Sequence, residues 1–237
     1  MRKTRPIISP EIYLNLSDNY STRFNGLCYV FFNDKYLNYL DGYNLNPILF
    51  IKSIKIYSIQ TKEQAFVAII RNGSSLSSID FECLIYLGFT EFVFFGYACG
   101  ISACSNIGEV VLIEKAFIGE GVSQYYNANR KFHCTSTLLN EKIKGKLVGL
   151  TQIKSASCFS TDAFFMETTK LIQHLKSSKV DYIDMECSSL ASISCYRNVK
   201  SSFLFCVSDL IKEDTWEYDN DIDLRKILIS VFELLLR

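Results

Sequence analysis

Short apolar blocks separated by polar turns recur along this chain. Leu27–Phe32 is a continuous apolar run, which suits a strand buried on both faces. Strand-like runs follow at Ile48–Ile51, Ile54–Ile59 and Ala65–Ile70. Asn72-Gly73-Ser74-Ser75 signals a turn. It leads into Leu76–Leu87, where Leu76, Ile79, Cys83, Leu84 and Leu87 fall on one helical face. The serines before that helix are expected to cap its free N–H groups, and Gly88 to end it. Glu91–Phe95 reads as a further buried strand, entering Gly96-Tyr97-Ala98-Cys99-Gly100. Strand, turn, helix, glycine and strand form a βαβ unit, so parallel strands are implied.

The pattern continues downstream. Ile107–Ile113 predicts a strand, Ala116–Ser123 a loop leaving the sheet, Thr135–Ile143 a short helix and Gly145–Ile153 another strand. Ser160–Phe165 has the small polar residues of a loop capping a helix over Glu167–Ser177. Val180–Asp184 and Phe203–Val207 read as strands on either side of a helix at Glu186–Tyr196. Lys212–Asp223 is polar and acidic, and Leu224–Leu236 is amphipathic, a terminal helix over the sheet. Tyr36–Leu40 begins a helix that ends near Gly42. Residues 1–25 are polar and are expected to form an arm with one helical turn at Pro10–Leu16, ahead of a single domain over 26–237.

Composition narrows the partners. The 237 residues carry 25 basic and 25 acidic side chains, so there is no basic excess to meet nucleic acid. Nine cysteines are scattered with no C-x-x-C pair, which suits a reducing interior. The two histidines, His133 and His174, lack metal-ligand spacing, and adjacent His133 and Cys134 point apart in a strand. No apolar core follows the basic N-terminus, and every apolar run falls short of the roughly 20 residues of a membrane span. A cytoplasmic protein with no metal, nucleic-acid or membrane partner is expected.

Two acids stand out by position. Glu186 follows Tyr182-Ile183-Asp184-Met185, and Asp209 follows Ser202–Ser208; each closes an apolar strand-like run. Open α/β sheets bind ligands beyond the carboxyl ends of their strands. A carboxylate there can accept hydrogen bonds from sugar hydroxyls, and a second acid can protonate a departing base. Read singly, Glu186 also suits a helix N-terminus and Asp209 an N-cap or turn.

The surrounding residues resemble the superfamily of purine nucleoside and uridine phosphorylases, which includes the methylthioadenosine/S-adenosylhomocysteine nucleosidases. The likeness runs from about Ile54 to the C-terminus. It is carried by Gly96-Tyr97-Ala98-Cys99-Gly100-Ile101, Ile107-Gly108-Glu109-Val110-Val111, Glu120-Gly121-Val122-Ser123-Gln124-Tyr125-Tyr126, Ser160-Thr161-Asp162-Ala163-Phe164-Phe165, Ile183-Asp184-Met185-Glu186 and Val207-Ser208-Asp209, in that order. The resemblance implies a three-layer α/β domain with a mixed, twisted and partly closed β-sheet flanked by helices. It implies a small-molecule nucleoside as ligand, no cofactor, phosphate as a possible co-substrate, and a homo-oligomer, a dimer or a trimer of dimers.

Residue by residue, the resemblance gives Glu186 the ribose hydroxyls and Asp209 the proton for a purine ring nitrogen, with Ser208 beside it. Met185 would pack on the sugar and Phe164 stack on the base, with Ile183, Tyr97 and Gly96 completing the substrate site. The Gln and Arg that pyrimidine-specific members carry after the Ser-x-Asp motif are absent from Phe165–Lys170, which favours a purine. Three positions depart from the family. Phe94 and Tyr97 stand where phosphorylases have an Arg and a Ser or Thr, and Cys99 where a Gly is usual. Phenylalanine cannot grip phosphate as a guanidinium does. Arg130, Lys131 or an N-terminal Arg would have to replace it. Glu11 is the N-terminal candidate for activating water. The expected activity is therefore cleavage of a purine N-glycosidic bond, of phosphorylase type with an atypical phosphate site. A hydrolytic nucleosidase acting on nucleosides or nucleotides, and an inactive nucleoside-binding module, stand as alternatives.

Overall fold

The computed structural model describes residues 6–16, 24–60, 64–127, 129–149 and 153–237. Strand β1 (Leu27–Phe31) lies between β4 (Ala65–Ile69) and β5 (Glu91–Gly100), parallel to both. Helix α2 (Ser74–Tyr86) links β4 to β5, as the βαβ pattern requires. Beyond β4, β3 (Ile54–Ile59) and β2 (Asn46–Ile51) pair antiparallel. On its other side β5 pairs with parallel β10 (Lys200–Lys212), which pairs with antiparallel β6 (Val110–Gly119). Strand β6 pairs with parallel β8 (Lys154–Thr161), β8 with parallel β9 (Tyr182–Asp184), and β9 returns antiparallel to β5. Five strands thus close into a ring within a mixed sheet, the partial closure expected of this fold. Strand β7 (Phe132–Cys134) joins the edge of β6, and β11 (Thr215–Tyr218) forms a hairpin with β10.

Helices cover both faces and make three layers. Phe81 and Leu84 of α2 and Leu190 and Ile193 of α6 (Cys187–Arg197) enter one core with Phe92, Phe94 and Phe203. On the opposite face lie Leu139, Ile143 and Leu147 of α4 (Thr137–Leu147) and Leu228, Phe232 and Leu235 of α7 (Leu224–Leu236). Helix α5 (Thr169–Ser177) brings Ile172 and Leu175 against Cys99 and Ile183. Helix α1 (Pro10–Leu14) buries Leu14, and Phe24 stacks on Phe89 at 4.8 Å. The short α3 (Ser123–Asn127) packs against α6. No described helix is long and apolar enough to cross a membrane.

Several expectations need correction. The apolar stripe of α2 is buried only in its second half: Cys83, Leu84 and Leu87 are in the core, whereas Leu76 and Ile79 are 44% and 42% exposed and Ser74, Ser77 and Asp80 are buried in the first half. Asp80 lies on that buried face. It is fully buried and takes a two-point bond from Arg71, at 3.0 and 2.7 Å, plus the Ser53 hydroxyl at 2.7 Å. A carboxylate so buried needs those partners. The serines do not cap α2, whose N-cap is Gly73 with no side-chain bond. The strand expected at Gly145–Ile153 fails, because α4 continues to Leu147. Ile143 and Leu147 extend its buried face, and Lys144 and Lys146 anchor on Glu114 and the Leu235 carbonyl. Residues 150–152 of that run lie outside the described residues. Strand β6 starts and ends later than expected, after a turn with Gly108 at φ +82°. The expected helix near Tyr36 is 3₁₀, over Asp34–Tyr39, and the acidic tail segment contains β11.

Candidate active site

The carboxyl-terminal ends of β5, β9 and β10 surround a cavity of about 400 Å³. Gly96, Tyr97, Phe164, Ile183, Met185, Glu186, Ser208 and Asp209, the residues singled out in the sequence, all line it.

Glu186 stands between two helix starts. It is the N-cap of α6, and its Oε1 accepts the Gly73 N–H at 2.5 Å, at the N-cap of α2. Both helix dipoles favour an anion there. Behind it Asp184 is buried and accepts the N–H groups of Glu186 and Cys187 at 2.9 and 2.6 Å and the Ser160 hydroxyl at 2.5 Å. These bonds pin the turn from β9 to α6. Burial, then the Asp184 charge, pushes Glu186 up to about 7. Burial also raises Asp184, against the pull of its hydrogen bonds.

Asp209 reaches the cavity through an irregularity. Val207 pairs with Ala98 and Asp209 with the next residue, Cys99, so Ser208 is an extra residue in β10. A regular strand would send Ser208 and Asp209 to opposite faces; the bulge lets both line one cavity. The Ser208 hydroxyl donates to Asp209 Oδ1, and Trp216 Nε1 donates to Oδ2 at 2.7 Å. Trp216 comes from β11 and stands edge-on to Phe164, with ring centroids 6.4 Å apart. Glu167, after the 3₁₀ turn Phe164–Met166, lines the same end and is pushed up to about 7 by burial and then by Asp209.

The remaining walls are neutral. Tyr97 lies nearly parallel to Tyr36, with centroids 6.3 Å apart, and Phe32, Asn33 and Asn72 complete the lining. A Cβ at Gly96 would stand 3.0 Å from the Phe205 ring and 3.1 Å from Phe32, so only glycine fits without a shift. Among the described residues no Lys, Arg or His lines this cavity. Phe94 is fully buried in the core, stacked on Phe203 at 4.9 Å, and Phe95 is buried on the opposite face. Arg130 and Lys131 line a separate hollow with His133. Arg2, Arg5 and Arg23 lie outside the described residues, and Glu11 is exposed on α1 and does not line the cavity. Glu120 is buried away from it. Its carboxylate takes the hydroxyls of Ser123 and Ser188, the latter at 2.8 Å, and so braces the start of α6.

Sequence reasoning missed Trp216, Glu167, Tyr36, Asn72 and the supporting role of Asp184. Only Asp184 left a signal, as the acid two residues before Glu186.

The sequence matches the family model described as the phosphorylase superfamily over residues 45–236. Solved structures share the fold. Uridine phosphorylase from Vibrio fischeri superposes with a TM-score of 0.75 at 17% identity, over 89% of this chain and 87% of that one. A 5′-methylthioadenosine/S-adenosyl homocysteine nucleosidase from Campylobacter jejuni gives 0.74 at 17% identity, over 88% and 96%. Purine nucleoside phosphorylase from Toxoplasma gondii gives 0.78 at 14% identity, over 91% of each chain.

Proposed function

The chain belongs to the phosphorylase superfamily, and from that premise we propose that it cleaves the N-glycosidic bond of a purine nucleoside with water as the nucleophile. One observation carries this reading: Glu186 and Asp209 face a single cavity that no basic side chain lines among the described residues. Glu186 accepts the ribose hydroxyls and stabilises positive charge as the sugar turns oxocarbenium-like. The base lies toward Phe164 and Asp209, where an acid delivers the proton it needs to leave. A purine offers a ring nitrogen for that proton.

Phosphate, the nucleophile favoured by sequence, fits this lining poorly. It would bring negative charge beside Glu186 and Asp209, and among the described residues no guanidinium lines the cavity to receive it. Nucleotide substrates meet the same obstacle. Water needs no cation, and Asn33, Asn72 and Tyr36 offer it polar partners.

The test is base release from adenosine, inosine and uridine, each with and without inorganic phosphate. Release of purine and free ribose at a rate independent of phosphate is expected. Strict phosphate dependence, with ribose 1-phosphate as product, would contradict hydrolysis while keeping the bond cleaved. No release from any nucleoside would sink the proposed activity.

A further inference from the structure

Two carboxyl groups occupy the base end of the cavity, and only one is furnished with donors. Asp209 takes the Trp216 N–H on one oxygen at 2.7 Å and the Ser208 hydroxyl on the other. Both bonds stabilise the ionised form. Glu167 lines the same cavity from the turn before α5, and no hydrogen bond from a described residue reaches its carboxyl group. Asp209 therefore has a donor on each carboxyl oxygen, while among the described residues Glu167 has none.

We infer that Glu167 and Asp209 act as one acid holding a single proton, which Glu167 carries and hands to the leaving base while Asp209 stays ionised. This rests on the glycosidic-cleavage reading and moves the proton from Asp209, where the family resemblance put it, to its neighbour. Burial and the Asp209 charge raise Glu167 to about 7, so it keeps its proton near neutrality. Cys99 faces the pair from β5, opposite Asp209, and Tyr218 stands opposite Asp209 in β11. Burial and then Asp209 raise that thiol well above its ordinary value, so it stays neutral. Glu186 and Asp184 line the cavity from the turn between β9 and α6, and no described basic group lines it.

The step balances. The bond from C1′ to the base nitrogen breaks and its electron pair goes to the base. The Glu167 proton goes to a ring nitrogen of that base. The oxygen of water bonds to C1′, and the proton it loses returns to Glu167 through solvent. Nucleoside and water become ribose and free base.

The experiment compares two substrates in wild type and Glu167→Gln. One is a purine nucleoside, whose base needs a proton. The other is 4-nitrophenyl β-D-ribofuranoside, whose leaving group departs unaided as a phenolate. Glu167→Gln is expected to slow purine release about 100-fold or more while slowing nitrophenol release by no more than about threefold. The fall in kcat/KM above about pH 7 should vanish with it. Asp209→Asn, which removes the neighbouring charge, should shift that fall to lower pH. An unchanged purine rate and pH profile in Glu167→Gln would overturn the inference, as would equal losses on both substrates, the mark of a merely structural role. In wild type, carboxyl ¹³C NMR should titrate Glu167 near 7; an ordinary carboxylate value would overturn the inference without touching the proposed function. A wild-type enzyme inert on both substrates would remove the function itself and the proton donor with it.

Discussion

Glu186 is held by backbone, and Asp209 by side chains. At the end proposed for the sugar the carboxylate sits between the starts of α2 and α6, on a turn that Asp184 pins through two N–H groups. At the base end the carboxylate takes its donors from a bulge serine and from Trp216, on a strand whose four residues are all exposed. Backbone amides of packed helices are set by the fold and cost little to preorganise. On the proposed reading the difference suits two tasks: a ribose is the constant part of every nucleoside, whereas the base must enter, take a proton and depart.

Removing the sugar-end carboxylate should have the largest effect. Glu186→Ala is expected to lower kcat by about 10²- to 10³-fold, the usual effect of losing one preorganised electrostatic group. Turnover assays on purine nucleosides would show it, and near-wild-type rates would break the division of labour. Trp216→Phe keeps a ring but loses the N–H on Asp209. A fall in kcat/KM of about 10-fold is expected, from one charge-assisted hydrogen bond in a partly exposed site. Trp216 is the only tryptophan in the chain, so its fluorescence should change when a purine base binds. A flat emission on saturation would place the base elsewhere.

Smaller effects follow from charge. On the proposed reading Glu186 acts ionised, and burial pushes it up to about 7, so it should set the acid limb of a bell-shaped profile whose alkaline limb Glu167 sets. Asp184→Asn removes one of the two causes of the elevation and should move this ascending limb to lower pH. Stability should answer in the opposite sense. The folded value of Glu186 lies above its ordinary 4.5, so the native state holds that proton longer than the unfolded chain. Stability is then lost as pH rises from about 4.5 to about 7. Glu186→Gln should raise Tm at pH 8 and lose that advantage at pH 4, in paired thermal melts.

The sugar end was the more legible in sequence for the same physical reason. Glu186 closes a short apolar strand and opens a helix, and hydrophobic periodicity marks both. Asp209 was visible at the end of its run, but the bulge at Ser208 leaves no trace in apolar spacing. Trp216 lies in Lys212–Asp223, a segment with no period whose placement depends on pairing with β10, and Glu167, expected as the first residue of a helix, precedes one that begins only at Thr169. The helix α2 shows the converse failure. Its apolar stripe was plain and Cys83, Leu84 and Leu87 follow it, but Leu76 and Ile79 do not, where the buried face carries Asp80 paired with Arg71, a tertiary contact that apolar spacing does not show. The aromatic residue at Phe94 announced the loss of an arginine site; only packing shows that the ring belongs to the core.

The most direct test of this polarity is a crystal structure with a non-hydrolysable purine nucleoside analogue. The sugar hydroxyls should lie within hydrogen-bond distance of Glu186, and the base should lie between Phe164, Glu167 and Asp209, beneath Trp216. An analogue bound with its base toward Glu186, or outside this cavity, would contradict the assignment of the two ends.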